Sequence, residues 1–270
     1  MLAQSAYGKS NIRMLQVRRY GDRHTIVDLT VAVRFEGAFD TSYTDGDNRD
    51  VLPTDTMKNT VYVLAAEHGL DPVEEFALKL GRHFLKTYAH VNSALIEVEE
   101  HRWNRIDPYT FEQGPSRRLA NVEIQRESVT IHAGIDNLVV LKTTKSAFEG
   151  FPRDPYTTLK ETTDRILATS VRALWRYATT EVDFHRLMES SRQTLIEVFA
   201  KHESRAVQQT LYAMGEAVLE QHPEITEIRL TLPNKHYLSV NLEPFGLENR
   251  NEIFLPTDEP YGVIEACLSR

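Results

Sequence analysis

Apolar and polar residues alternate between positions 24 and 36. Val27, Leu29, Val31, Val33 and Phe35 fall on one side, and Asp28, Thr30, Arg34 and Glu36 on the other. A period of two puts every second side chain on the same face, so this segment predicts a strand with one buried face. Residues 11–19 precede it, and Tyr20-Gly21-Asp22-Arg23 has turn composition, which predicts a hairpin. The spacing then changes to three and four. Met57, Val61 and Leu64 predict a helix that begins near Thr54-Asp55. Val73, Phe76, Leu80, Phe84 and Tyr88 predict a second helix. For that helix Asp71 suits the N-cap, Pro72 the first turn and Glu74 the return arm of a capping box. Residues 94–103 and 119–132 read as strands, so the first half has the order ββααββ.

The second half repeats that order. Residues 138–143 and 171–177 read as strands. Phe184, Leu187, Met188, Leu195, Val198 and Phe199 form one helical stripe, and Val207, Leu211, Met214 and Val218 another. Ile228, Leu230 and Leu232 alternate on a strand that should end at Pro233, and Leu238, Val240 and Leu242 on the last clear strand. The repetition predicts an α+β chain of two copies of one module, residues 1–134 and 135–270. Each copy would be a mostly antiparallel sheet with helices on one face. Its other face and its edges need covering, and oligomerisation is one way to cover them.

Composition narrows the function classes. With 41% hydrophobic and 26% charged residues the chain can bury a core, and its net charge of −8 argues against sequence-independent nucleic-acid binding. No apolar run is long enough to cross a bilayer, and Met1-Leu2-Ala3-Gln4-Ser5-Ala6 lacks the plan of a secretion signal. The single cysteine, Cys267, excludes an internal disulfide and a thiolate-rich metal site, and points to a reducing compartment. The closing Leu268-Ser269-Arg270 is not a Ser-Lys-Leu peroxisomal address, so a bacterial-type cytoplasm is expected, with no membrane or nucleic-acid partner. There is no glycine-rich phosphate loop and no His-x-x-x-His pair, so nothing in the sequence calls for a nucleotide cofactor, flavin or metal.

Several longer motifs remain. They are Tyr7-Gly8-Lys9; Thr54-Asp55-Thr56-Met57-Lys58-Asn59-Thr60; and Phe148-Glu149-Gly150-Phe151-Pro152-Arg153-Asp154 leading into Tyr156-Thr157-Thr158-Leu159-Lys160-Glu161-Thr162. Asp164-Arg165-Ile166-Leu167, Val207-Gln208-Gln209-Thr210 and Leu232-Pro233-Asn234-Lys235-His236-Tyr237 follow. In content and order this set resembles the urate oxidase (uricase) family over nearly the whole chain, from about residue 7 to residue 266. The resemblance implies two tandem tunnelling-fold (ββααββ) units per chain. Sheets from several copies would join into a barrel around a tunnel, usually as a homotetramer with active sites between subunits. It implies oxidation of urate by O2 and water to 5-hydroxyisourate and hydrogen peroxide, with no cofactor.

The resemblance also assigns roles that the residue chemistry can be tested against. Arg165 would grip the pyrimidine edge of the urate monoanion, because a guanidinium fork matches two acceptors in one plane. Gln208 would bond the neighbouring N–H and carbonyl, and the backbone N–H groups of Val207 and Asp55 would add contacts. Phe148 would stack on the purine, Leu159 would wall the pocket, and Asn234 would hold oxygen and then water above the ligand plane. Lys9, Thr54 and His236 would relay protons: a lysine in a dry pocket near other cations can act as a base, and a hydroxyl both donates and accepts. Outside the motif set each residue has a plainer reading. Thr54 suits an N-cap, Asn234 a turn after proline, and Phe148 and Leu159 a core. Lys9, Arg165 and Gln208 suit a solvated surface, and His236 a satisfied strand position. Two rival functions are a tunnelling-fold protein that binds a purine or pterin without turnover, and a metal-dependent relative of GTP cyclohydrolase. The intact Lys9, Thr54 and His236 set favours the oxidase over the first. The missing Cys/His cluster disfavours the second.

Overall fold

The computed structural model describes residues 2–257 and 259–270, which form two compact units. The first unit comprises Met1–Ile135 with Leu174–Met188, and the second Asp136–Ala173 with Glu189–Arg270. Both units are thus discontinuous in sequence.

In the first unit β1 (Tyr7–Tyr20), β2 (Arg23–Gly37), β3 (Val91–Arg105) and β4 (Phe111–Gln125) pair antiparallel in that order. Between β2 and β3 lie a short α1 (Asp40–Thr44), α2 (Thr54–His68) and α3 (Val73–Thr87). Of the alternating residues of β2, Leu29, Val31, Val33 and Phe35 are buried as expected and Val27 is half-buried. Asp28 of the expected polar face is also buried, paired with Arg13 at 2.7 Å and accepting the Trp103 indole N–H at 3.0 Å. Ile96 and Val98 of β3, Val122 and Ile124 of β4, and Phe76, Leu80 and Phe84 of α3 join the apolar β2 residues in the core. Each such apolar side chain contributes about 1.5–3 kcal/mol of burial.

Two further local expectations for this unit fail, for different reasons. Asp71, Pro72 and Glu74 do not form a capping box. The helix starts at Val73 with Pro72 in the N-cap position and no side-chain cap. Glu74 is fully buried and instead accepts two bonds from the buried Arg118 guanidinium, Nη2 to Oε2 at 2.6 Å and Nε to Oε1 at 3.3 Å. A guanidinium inside a core must have its charge met, and that demand outweighs a local cap. Asp71 faces His185 Nε2 at 3.0 Å. Residues 119–132 are also not one strand. A turn at Arg126-Glu127-Ser128, closed by Gln125 N–H donating to Ser128 O at 2.8 Å, separates β4 from β5 (Val129–Lys142).

The second unit is built on α5 (Val207–Gln221), which packs against β7 (Ile225–Ser239) and β9 (Val263–Ser269). Leu211, Met214, Val218, Ile228, Leu230 and Leu232 are buried among these elements. Residues of β5, β6 (Leu167–Tyr177) and α4 (Phe184–Lys201) fall in both units. Strand β7 does not stop at Pro233. Pro233 lies opposite Val263, and the next N–H, from Asn234, donates to Gly262 O at 2.8 Å. A proline is tolerated in a strand where the ladder does not use its missing N–H. From His236 the strand pairs with β8 (Phe254–Thr257), and it ends at Ser239. Leu238 thus belongs to β7. Val240 and Leu242 lie beyond its end, where Glu243 N–H donates to Asn241 Oδ1 at 3.0 Å.

Candidate active site

Within the first unit, Lys9, Thr54 and Asp55 lie near one another. Lys9 sits on β1 opposite Val33, just before a bulge in which Asn11 has φ 57°. At Gly8 the two strands press together: a Cβ there would lie 2.0 Å from Val33 O, so only glycine lets β1 approach. Tyr7, which was not expected to matter beyond its motif, ties β1 to the start of α2. Its hydroxyl accepts the Leu52 N–H at 2.8 Å, and its ring meets Phe39 edge-on at 4.8 Å. Burial raises its pKa above the ordinary tyrosine value.

Thr54 opens α2 and is half-buried. Pro53 holds the N-cap position and no side chain caps the helix, so the Thr54 hydroxyl is not spent on capping. The exposed Asp55 carboxylate is held below the usual range first by its hydrogen bond to Lys58 Nζ, with smaller contributions from Asn59 and the charge of Lys9. The Lys9 charge therefore lies close to the start of α2.

In the second unit three chain segments are clasped by backbone bonds. Ala147 N–H donates to Ser204 O at 2.7 Å, and Ser204 N–H to Lys145 O at 3.0 Å. Phe148 and Thr162 exchange bonds of 2.8 and 3.1 Å. Asp164 reinforces the clasp by accepting Thr144 Oγ1 at 2.7 Å and Ser146 N–H at 3.3 Å, contacts that depress its pKa. The expected binding residues lie within a few positions of these bonds: Phe148 itself, Arg165, and Val207-Gln208 at the head of α5.

The Arg165 guanidinium carbon lies 5.3 Å from the centre of the Phe148 ring. Arg165 is half-buried, its Nε has no hydrogen-bond partner, and burial alone pushes its pKa down. No ion pair to it occurs among the described residues. A partly desolvated fork with no carboxylate is a seat for a planar anion. Val207 is buried as the first residue of α5, and a helix makes no internal use of the N–H groups in its first turn. Gln208 is exposed, as is Leu159 at 54%, so Leu159 is not a core residue in this chain.

Asn234 and His236 lie two apart on β7, hence on one face, and both are half-buried. Asn234 is therefore a strand residue rather than a turn residue. Among the described residues no three His, Cys, Asp or Glu side chains gather as a metal would require, and Cys267 is exposed and free. No helix among them is long and apolar enough to cross a membrane.

Comparison with known proteins shows the family and the fold. A family model described as Uricase matches residues 5–127 and 131–265. A uricase from Arthrobacter globiformis is 48% identical over 273 residues, spanning all of this chain and 90% of its own. A uricase from Dictyostelium discoideum is 38% identical over 279 residues, covering 100% of this chain and 97% of that one. The crystal structure of the Arthrobacter globiformis uricase matches with a TM-score of 0.96, over 100% of this chain and 95% of that chain. A uricase from Bacillus fastidious shares the fold at 23% identity, with a TM-score of 0.86 over 98% of this chain and 93% of that one.

Proposed function

The chain belongs to the uricase family, with the tandem α+β units of the tunnelling fold, and on that premise we propose that it is a cofactor-independent urate oxidase. The observation that carries this reading is the half-buried Arg165 guanidinium, which lies over the Phe148 ring, has an Nε without a hydrogen-bond partner and meets no carboxylate among the described residues. A flat monoanion with adjacent acceptors satisfies both at once: its edge meets the fork and its face meets the ring. Gln208 completes the edge with one donor and one acceptor, and the Val207 N–H adds a bond at the helix head. Leu159 closes the wall. Thr54 and the Asp55 N–H serve the imidazole edge from the start of α2.

The chemistry follows from the substrate. Deprotonated urate is electron-rich and gives two electrons to O2. Water adds to the oxidised ring to give 5-hydroxyisourate, and the reduced oxygen leaves as hydrogen peroxide. Urate, O2 and water thus balance the two products. Lys9 takes the proton through the Thr54 hydroxyl, and His236 hands protons to the reduced oxygen. Asn234, next but one on the same strand face, donates to the peroxide-like anion as it develops. The protein supplies deprotonation, positioning and electrostatics. The first unit holds Lys9, Thr54 and Asp55, and the second the purine-gripping residues. The reading is that two copies in a homotetramer complete each site, in a reducing, cytoplasmic setting.

The test is the loss of urate ultraviolet absorbance in aerated buffer by chelator-treated protein, with peroxide measured alongside. One peroxide per urate is expected, at a rate the chelator does not change. Urate binding without turnover would make the chain a binding protein. Activity that returns only with added metal would end the cofactor-independent reading.

A further inference from the structure

Phe148 has a role in this reading, but Phe151 has none. The chain turns back so that the two rings stack, with centroids 5.0 Å apart and planes 15° from parallel. Gly150 makes the return possible: its φ of +72° lies in the left-handed region, which a side chain disfavours. The Gly150 N–H donates to the Glu161 carboxylate at 3.1 Å, and the Phe148–Thr162 ladder fixes the base of the turn. The Arg153 guanidinium carbon lies 5.4 Å from the Phe151 ring. Phe148 and Phe151 are each only half-buried, so neither is locked by a surrounding core.

We propose that Phe151 is a positioning residue that braces the Phe148 ring in the orientation that receives the flat substrate. A stacking surface rewards a ligand fully only if its plane is set beforehand; a ring free to turn must be ordered when the ligand arrives. Phe151 supplies that order through an offset aromatic stack, and Arg153 extends it by a cation–π contact. The loop sequence Phe148-Glu149-Gly150-Phe151 thereby acquires a physical meaning. The first ring faces the ligand, the glycine reverses the chain and the second ring stiffens the first. This inference rests on Phe148 being the stacking surface for urate.

The experiment is a double-mutant cycle on the full-length protein. Its readouts are urate KM and kcat, with the Kd of xanthine, a flat purine that lacks the 8-oxo group, measured by calorimetry. Phe151→Ala should raise both KM and the xanthine Kd by roughly 2- to 10-fold, the range for one aromatic pair, with kcat at saturating urate changed less. Phe151→Tyr, which keeps the flat ring, should restore both. In a Phe148→Ala background, adding Phe151→Ala should leave the xanthine Kd where Phe148→Ala alone puts it. If Phe151→Ala does not fold, Phe151→Leu keeps the bulk without the flat face and carries the same expectation. Unchanged KM and Kd would overturn the proposal, as would a lower kcat alone, which signals only fewer folded molecules. An equal loss in both backgrounds would also overturn it. If Phe148→Ala itself leaves xanthine binding unchanged, the stacking role of Phe148 fails, and the brace fails with it.

Discussion

Arg165 separates charge from geometry. An ammonium in its place would keep the positive charge but could not make two parallel bonds. Arg165→Lys should therefore lose about 1.5–3 kcal/mol of urate affinity, the worth of one charge-assisted bond. A variant whose rate depends on urate concentration as before would remove Arg165 from the site. In the proposed reaction Lys9 acts on the chemical step rather than on capture. Lys9→Met should slow turnover by about 100-fold or more while xanthine binding changes little. Normal turnover with weak binding would instead assign Lys9 to holding the substrate. The motifs that carry these proposed roles were legible in the sequence, because their order is hard to match by chance. Their supports were not. The Tyr7 hydroxyl reaches Leu52, 45 positions away, and nothing in a lone tyrosine names its partner. The clasp around Phe148 is made of backbone bonds, which any sequence can supply.

The helices and strands show the same division between what a period encodes and what a partner decides. The stripe Val73, Phe76, Leu80 and Phe84 and the alternation along β2 were readable because burial imposes those periods directly. The start of α3 was not, because Glu74 answers to Arg118 on a strand 44 residues away rather than to its own helix. The run through Pro233 was missed because the ladder there takes its N–H from Asn234. The buried pair gives this scale its prediction. Arg118→Met would strand the Glu74 carboxylate, which is fully buried, and should cost about 3–5 kcal/mol. Combining it with Glu74→Gln should recover part of that loss, since the buried Glu74 charge is then gone while Glu100, 3.9 Å from the Arg118 guanidinium, still loses its partner. Urea unfolding of the single and double variants measures both. A single variant as stable as the parent would show that the pair is not needed to hold α3 on β4.

At the scale of the whole molecule, the division of residues between units raises the question of which chain completes each site. Lys9 and Thr54 belong to the first unit, and Phe148, Arg165 and Gln208 to the second. If sites lie between copies, Thr54 of one chain works with Arg165 of another. Thr54→Ala and Arg165→Gln, each expected to be inactive alone, can then be unfolded together and refolded so that chains mix. In a two-fold pair of unlike chains one site receives both defects and the other receives none. A site is intact when the chain giving Thr54 is the Arg165 variant and the chain giving Arg165 is the Thr54 variant. With equal amounts and random pairing, roughly a quarter of all sites should therefore recover, by the arithmetic of a two-fold pair. Each variant refolded alone is the control and should stay inactive. Activity near that fraction is the expected result. If mixed oligomers are shown to be present and no activity returns, each site is completed within one chain, and the shared-site reading is wrong.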